Sequence, residues 1–248
     1  MGDLRIEEAQ PEHTDEIWEI IKTSFLGAHS QYIATGQTGY EEYLSDRLYH
    51  ERSDSKFLIV ATISGHVAAF ADITLTSQGA NFLTRIAVGR DFRGSGIVRQ
   101  MMRRIQDTYK SGSQWELDVL STNTGARNMY ASLGFNTVSR RKWVGRLLPQ
   151  YVNNTKANKF TRDSEDSDYS RYGFTNTEVQ NRAVSIAGSA VRCHDISRFL
   201  DNSFLTKVQE QFPQIDRAFV ILDASDNRLD SFTDAFEIVR SERMSGSF

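Results

Sequence analysis

The stretch Ile86-Ala87-Val88-Gly89-Arg90-Asp91-Phe92-Arg93-Gly94-Ser95-Gly96-Ile97 decides how this sequence is read. Its first residues complete an apolar run, Phe82 to Val88, with the composition of a strand. Its last opens the run Ile97 to Tyr109, in which Ile97, Met101, Met102 and Ile105 recur at helical spacing. The joint between strand and helix bears glycines at 89, 94 and 96. Glycine permits positive φ and close backbone approach, and the unpaired amides of a first helical turn, aided by the helix dipole, attract an anion such as a phosphate. The same glycines also serve a strand-to-helix turn that binds nothing.

Working outward, Leu4 and Ile6 mark an opening strand, and Ile17, Ile20, Ile21 and Phe25 mark a helix after Pro11. Tyr40 to His50 returns to helical spacing after a polar loop, Gly27 to Gly39. Phe57 to Ile63 and Val67 to Leu75 are strands joined by Ser64-Gly65, a hairpin signal, and Gln78-Gly79 supplies the next turn. Downstream come a strand, Trp115 to Leu120, a short helix, Gly125 to Leu133, closed by Gly134, and a strand from Phe135 to Val144. The order is strand, two helices, three strands, helix, strand, helix, strand. It predicts an α/β fold with a sheet mixing antiparallel and crossover connections.

Lys and Arg number 29 against 32 Asp and Glu, a net charge of -3, which argues against general nucleic-acid affinity. No run approaches the roughly 18 apolar residues of a membrane span and no basic-then-apolar leader opens the chain, so a cytoplasmic protein without membrane attachment is expected. The one cysteine, Cys193, excludes an intrachain disulfide and a multi-thiolate zinc site, and reads as a small apolar filler. His29 and His50 have no second ligand at helical spacing, so no metal is expected.

A second constellation, Ser121-Thr122-Asn123-Thr124-Gly125-Ala126-Arg127-Asn128-Met129-Tyr130-Ala131-Ser132-Leu133-Gly134-Phe135, follows the glycine turn. Together the two segments resemble the GNAT superfamily of N-acetyltransferases over about residues 3 to 145. The first is similar to its pyrophosphate loop, (Q/R)xxGx(G/A), through Arg93 and Gly96, with Val98 departing from the final small residue. The second is similar to its NxxAxxxYxxLGF segment. The resemblance implies an acyl-CoA-binding fold that takes acetyl-CoA as acyl donor and acetylates a primary amine of a small molecule or peptide by direct transfer.

The resemblance also implies roles for residues. Arg93, Gly94, Ser95, Gly96, Ile97 and Val98 would hold the pyrophosphate, and the backbone of Ile86, Ala87 and Val88 would line the pantetheine arm. Asn123 would bond that arm, or cap the helix it precedes, or do both. Tyr130 would protonate the departing thiolate. Family members often carry a glutamate on the strand before the loop, but Asn81 to Val88 holds no acid. Asp72, Asp118, His66 or a water chain would then take the amine proton. Thr84 and Arg85, with Phe25, Tyr32, Tyr40 and Tyr43, fall on the side that shapes the acceptor site; Arg85 would meet an acidic acceptor or simply Asp72. Missing acid and β-branched Val98 also fit an alternative, a catalytically weak or inactive acyl-CoA-binding sensor or scaffold.

Residues 1-149 are thus expected to form the acetyltransferase-like domain, and 150-172, polar and acidic, a linker or exposed loop. Residues 173-248 form a smaller α/β unit, with a strand pair over Ala183 to Cys193, helices over Arg198 to Gln211 and from Leu229, and strands over Ala218 to Asp223 and Phe236 to Arg240. Its order repeats that of Phe82 to Trp143, as a degenerate half-copy would. VILDASDNRLDSFTDAF also resembles the strand-loop-helix of STAS-type regulatory domains, with Asp223 and Ser231 at the matching places. Such a unit would cover the sheet, regulate access or make a homodimer contact.

Overall fold

The computed structural model of the chain describes residues 3–25, 27–50, 53–76, 80–109, 114–150 and 167–247. They divide into two compact units. The first comprises Met1–Leu26, Glu41–Arg140 and Ser241–Phe248, the second Gly27–Tyr40 and Arg141–Arg240.

In the first unit the elements follow the expected order: β1 (Leu4–Glu8), α1 (Thr14–Ser24), α2 (Tyr40–His50), β2 (Lys56–Ile63), β3 (His66–Thr74), β4 (Asn81–Val88), α3 (Ile97–Thr108), β5 (Trp115–Leu120), α4 (Thr124–Ser132) and β6 (Asn136–Leu147). The hairpin between β2 and β3 turns at Ser64 and Gly65, with φ of 52° and 85°, both positive as the twist of a tight hairpin requires. The turn expected at Gln78-Gly79 lies outside the described residues. β1, β2, β3 and β4 pair antiparallel in sequence, whereas β4 and β5 run parallel through the crossover helix α3.

Ile97, Met101, Met102 and Ile105 are at most 3% exposed and form one core with Ala68, Ala69 and Ala71 of β3 and with Leu117 and Val119 of β5. The three alanines leave room for the thioether side chains of α3 to lie close over the sheet. This fixes where α3 begins, and therefore where the glycine turn before it sits.

The second unit contains the end of β6, then α5 (Ser167–Tyr172), β7 (Phe174–Val179), β8 (Arg182–Ala187), β9 (Ala190–Cys193), α6 (Ile196–Leu200), α7 (Asn202–Gln211), β10 (Arg217–Asp223) and the start of β11 (Ala235–Gly246). β7, β8 and β9 are antiparallel, β9 and β10 parallel, and β6 antiparallel to β10. That succession of pairings is also the one made by β2, β3, β4 and β5 with the strand beyond them in the first unit. Of the span expected as a linker, 167–172 is the helix α5, and 151–166 lies outside the described residues.

Three expectations differ from this arrangement. The last strand, expected wholly in the C-terminal unit, has a second half, Ser241 to Gly246, that pairs antiparallel with Leu120 to Trp115 of β5 and belongs to the first. Residues 27–40, expected in the first domain, belong to the second, where the Tyr32 ring meets Phe219 edge-on at 5.3 Å and Arg217 Nη1 donates to Gln31 Oε1 at 2.6 Å. The helix expected from Leu229 is a series of turns. Phe232 N bonds Leu229 O at 2.9 Å and Ala235 N bonds Phe232 O at 3.1 Å, contacts three residues apart that close separate turns rather than the four-residue ladder of an α-helix.

Candidate acyl-CoA site

β4 is the structural hinge of the site. Its ladder with β3 slips between Asp72 and Ile73, since Asp72 faces Arg85 and Ile73 faces Leu83. Thr84 is the extra residue of a bulge, which bends and twists the strand that carries it. The parallel ladder with β5 covers Asn81, Phe82 and Leu83 opposite Trp115, Glu116 and Leu117, and goes no further. From Thr84 to Val88, β4 pairs with β3 alone among the described strands. Two parallel strands that separate at a bulge open a wedge toward their C-terminal ends, and the backbone of 84–88 edges it. Within it Ile86 and Val88 pack against the α3 core.

At the wide end lies the glycine turn. Gly94 and Gly96 have φ of 76° and 78°, values that favour glycine strongly. A Cβ built on either meets no atom within 4 Å, so the space above the turn is open. Gly96 is the N-cap of α3 and offers no side chain to its amides; the first intrahelical bond is Gln100 N to Gly96 O at 3.3 Å. The amides of Ile97 and Val98 therefore stand at the positive end of the helix with no capping side chain over them. Arg93 is exposed, and its Nε donates to Val88 O at 3.3 Å. Val98, the departure from the loop pattern, packs its partly buried side chain against the core.

Asn123 caps α4, its Oδ1 accepting from Ala126 N at 3.1 Å. At the other end Gly134 takes φ of 91° and Phe135 N returns to Tyr130 O at 3.1 Å. That left-handed residue turns the chain so that Phe135 meets the Tyr130 ring edge-on at 5.9 Å. Tyr130 is 7% exposed. Its burial disfavours the phenolate and pushes the phenol well above the usual tyrosine range, so the hydroxyl keeps its proton through that range.

Both aspartates considered as bases are held in ion pairs. Asp72, 4% exposed, bonds Arg47 through both oxygens at 2.9 and 3.1 Å and Arg85 at 2.8 Å. Asp118 takes both Nε and Nη2 of Arg243, at 2.7 and 2.8 Å, while Glu116 takes Nη1 at 2.6 Å. Arg243 also lies 4.9 Å over the Phe82 ring. Spacing along the chain gave no sign of Arg47, Glu116 or Arg243, because the partners lie 25, 127 and 125 residues apart. Asp72→Asn is expected to lower unfolding stability by about 3 kcal/mol, because two guanidiniums lose a buried counter-charge; urea denaturation measures it.

The remaining site residues are dispersed. Thr84 is exposed at the bulge, and Phe25 is half-buried with its ring 6.4 Å from Phe70. Tyr32 and Tyr40 fall in the second unit, against Phe219 and Phe174, while Tyr43 lies on α2 in the first. His66 is exposed, with Nδ1 2.9 Å from Glu16. No group of three His, Cys, Asp or Glu side chains is placed to hold a metal among the described residues.

The matching turn of the second unit differs in kind. β9 pairs with β10 along all four residues, so no wedge opens. Asp195 caps α6, accepting from Arg198 N at 2.9 Å, and supplies its own carboxylate where the first unit has bare glycine. Cys193 is fully buried and its thiol is pushed up to about 12, mainly by that burial, which keeps it protonated and unreactive.

Residues 14–135 match the model of the acetyltransferase (GNAT) family. The likeness of fold to solved structures extends further. A GCN5-related N-acetyltransferase from Sphaerobacter thermophilus superposes with a TM-score of 0.57 over 98% of this chain and 95% of its own, at 13% identity. A candidate acetyltransferase from Pyrococcus horikoshii does so with a TM-score of 0.61 over 99% and 89%, also at 13% identity. At that identity the likeness is one of fold, and it takes in the second unit. No curated protein matches the sequence.

Proposed function

We propose that this protein transfers an acetyl group directly from acetyl-CoA to a primary amine of a small molecule or peptide. The observation that carries the reading is the wedge between β4 and β5 leading to an uncapped helix N-terminus at Gly96. An extended pantetheine arm finds the edge of β4 at 84–88, which the ladder with β5 does not reach, and the pyrophosphate finds the amides of 94–98 with Arg93 beside them. Asn123 spends its oxygen on Ala126 N, which leaves its NH₂ to donate to the arm. The core-facing side chain of Val98 leaves the phosphate approach clear.

Bound acetyl-CoA supplies an activated thioester. As the amine nitrogen bonds the acetyl carbon and the carbon–sulfur bond breaks, Tyr130 delivers its proton to the sulfur. Solvent water takes the proton from the amine and returns one to the Tyr130 phenolate, because the oxygens of Asp72 and Asp118 are engaged by guanidiniums. The second unit, with the same pairings but a filled turn, is a degenerate half-repeat that keeps the architecture without the ligand site.

Those engaged acids also favour a second reading, an acyl-CoA-binding sensor without turnover. Calorimetry with acetyl-CoA, followed by thiol release with lysine, a diamine, an aminosugar and a dipeptide, separates the two. Binding with thiol release supports the enzyme; binding without release from any acceptor supports the sensor. No heat at millimolar acetyl-CoA removes both.

A further inference from the structure

We propose that Glu242, near the C-terminus, is a positioning residue for Tyr130, so that the final strand sets the proton donor of the first unit in place. The inference rests on the role proposed above for Tyr130. The Glu242 side chain is 5% exposed; its Oε1 pairs with Arg127 Nη2 at 3.0 Å and its Oε2 accepts from Thr137 Oγ1 at 2.7 Å. Arg127 stands on α4 one turn before Tyr130, spacing that puts both on neighbouring positions of the helix surface. It also donates from Nη1 to Ser121 O at 3.3 Å, which ties it to the end of β5.

Strand alternation shows that this is a directed contact. Glu242, Met244 and Gly246 share one face of β11, and Met244 belongs to the core beneath α3 and α4. Arg243 points the other way, to Asp118 and Glu116. At the far end of the same face a Cβ on Gly246 would come within 2.9 Å of Gly134 O and of Phe135 Cα. The strand thus touches α4 at two places, the Arg127 side chain and the turn after Ser132. Between them lies Tyr130, already braced by Phe135.

A buried carboxylate must keep its counter-ion, and the Arg127–Glu242 pair is satisfied only over a narrow range of rotations of α4 about its axis. Apolar packing alone tolerates larger rotations. A phenol that must reach a departing sulfur does not, because displacement of about 1 Å costs up to about 100-fold in rate.

The test uses the full chain, acetyl-CoA, and whichever amine of the panel turns over best. Glu242→Gln is expected to lower kcat at least 10-fold while the acetyl-CoA dissociation constant stays within twofold. Arg127→Met/Glu242→Met replaces the pair with apolar groups; it is expected to regain the melting temperature but not kcat. Glu242→Gln made on a Tyr130→Phe background is expected to add no further loss. Full recovery of kcat in the double-methionine variant, or multiplicative losses with Tyr130→Phe, would overturn the proposal. If Tyr130→Phe alone leaves turnover intact, the role of the phenol fails on its own. In that case, or with no turnover at all, the ¹³C-tyrosine resonance of Tyr130 decides. A shift in Glu242→Gln supports the coupling, and an unmoved resonance ends it.

Discussion

Replacing Gly96 with valine is expected to raise the dissociation constant of acetyl-CoA about 100-fold, the loss of two charge-assisted hydrogen bonds worth roughly 1.5 kcal/mol each. Two effects act together. At φ of 78° a β-branched residue is strained, so the turn relaxes and its amides lose their common direction. The new methyls also enter the open space above the turn, where a Cβ now meets nothing within 4 Å. Because that space is empty of protein, the substitution clashes with no neighbour, and the fold is expected to lose only about 1–2 kcal/mol to backbone strain. Calorimetry beside a melting curve makes the distinction: weak binding with a melting temperature lowered by only a few degrees locates the defect in the phosphate cradle. Unchanged affinity would remove this turn from the cofactor site.

What could be read from the sequence follows from the range of the interactions. The strand, turn and helix around Gly96 are local, and glycine, apolar period and helix start agree over a dozen residues. The same holds for Leu133-Gly134-Phe135, where a left-handed glycine and two apolar neighbours fix how the helix ends. The wedge was less visible. Nothing in Asn81 to Val88 announces that Thr84 bulges, since a bulge depends on the strand opposite. Ion pairing was the least visible. Asp72 and Asp118 stood out as acids near the right strands, but a guanidinium arriving from α2 or from the last strand changes their chemical meaning, and sequence separation hides it.

Strand exchange was hidden for a related reason. β11 has no clean two-residue period, with Ile238 and Val239 adjacent and both Ser241 and Glu242 buried, and even a clean period tells which face is buried but not which strand lies beside it. Its partner in the first unit, β5, lies about 120 residues earlier. The stretch from Leu229 misled in the opposite direction. Leu229, Phe232 and Ala235 recur at a spacing that suits a helix, but Phe232 N returns to Leu229 O and Ala235 N to Phe232 O, which closes separate turns instead.

Tyr130→Phe is expected to lower kcat by about 100- to 1000-fold, within the range for losing one general acid, without changing acetyl-CoA affinity. The ring stays, so the edge-on contact with Phe135 and the α4 core are preserved, and only the hydroxyl is lost. The sign of the pH dependence follows from burial. Because the folded protein disfavours the phenolate, the group stays protonated through the ordinary tyrosine range near pH 10, and kcat should show no falling limb from this residue below that pH. The stabilising consequence has the same direction: a pKa raised on folding contributes nothing to the pH dependence at neutrality and opposes stability only as pH rises past the unfolded value. A kcat profile flat from pH 6 to about 9 in the native protein, and flat but depressed in Tyr130→Phe, is the result expected of the phenol as proton donor.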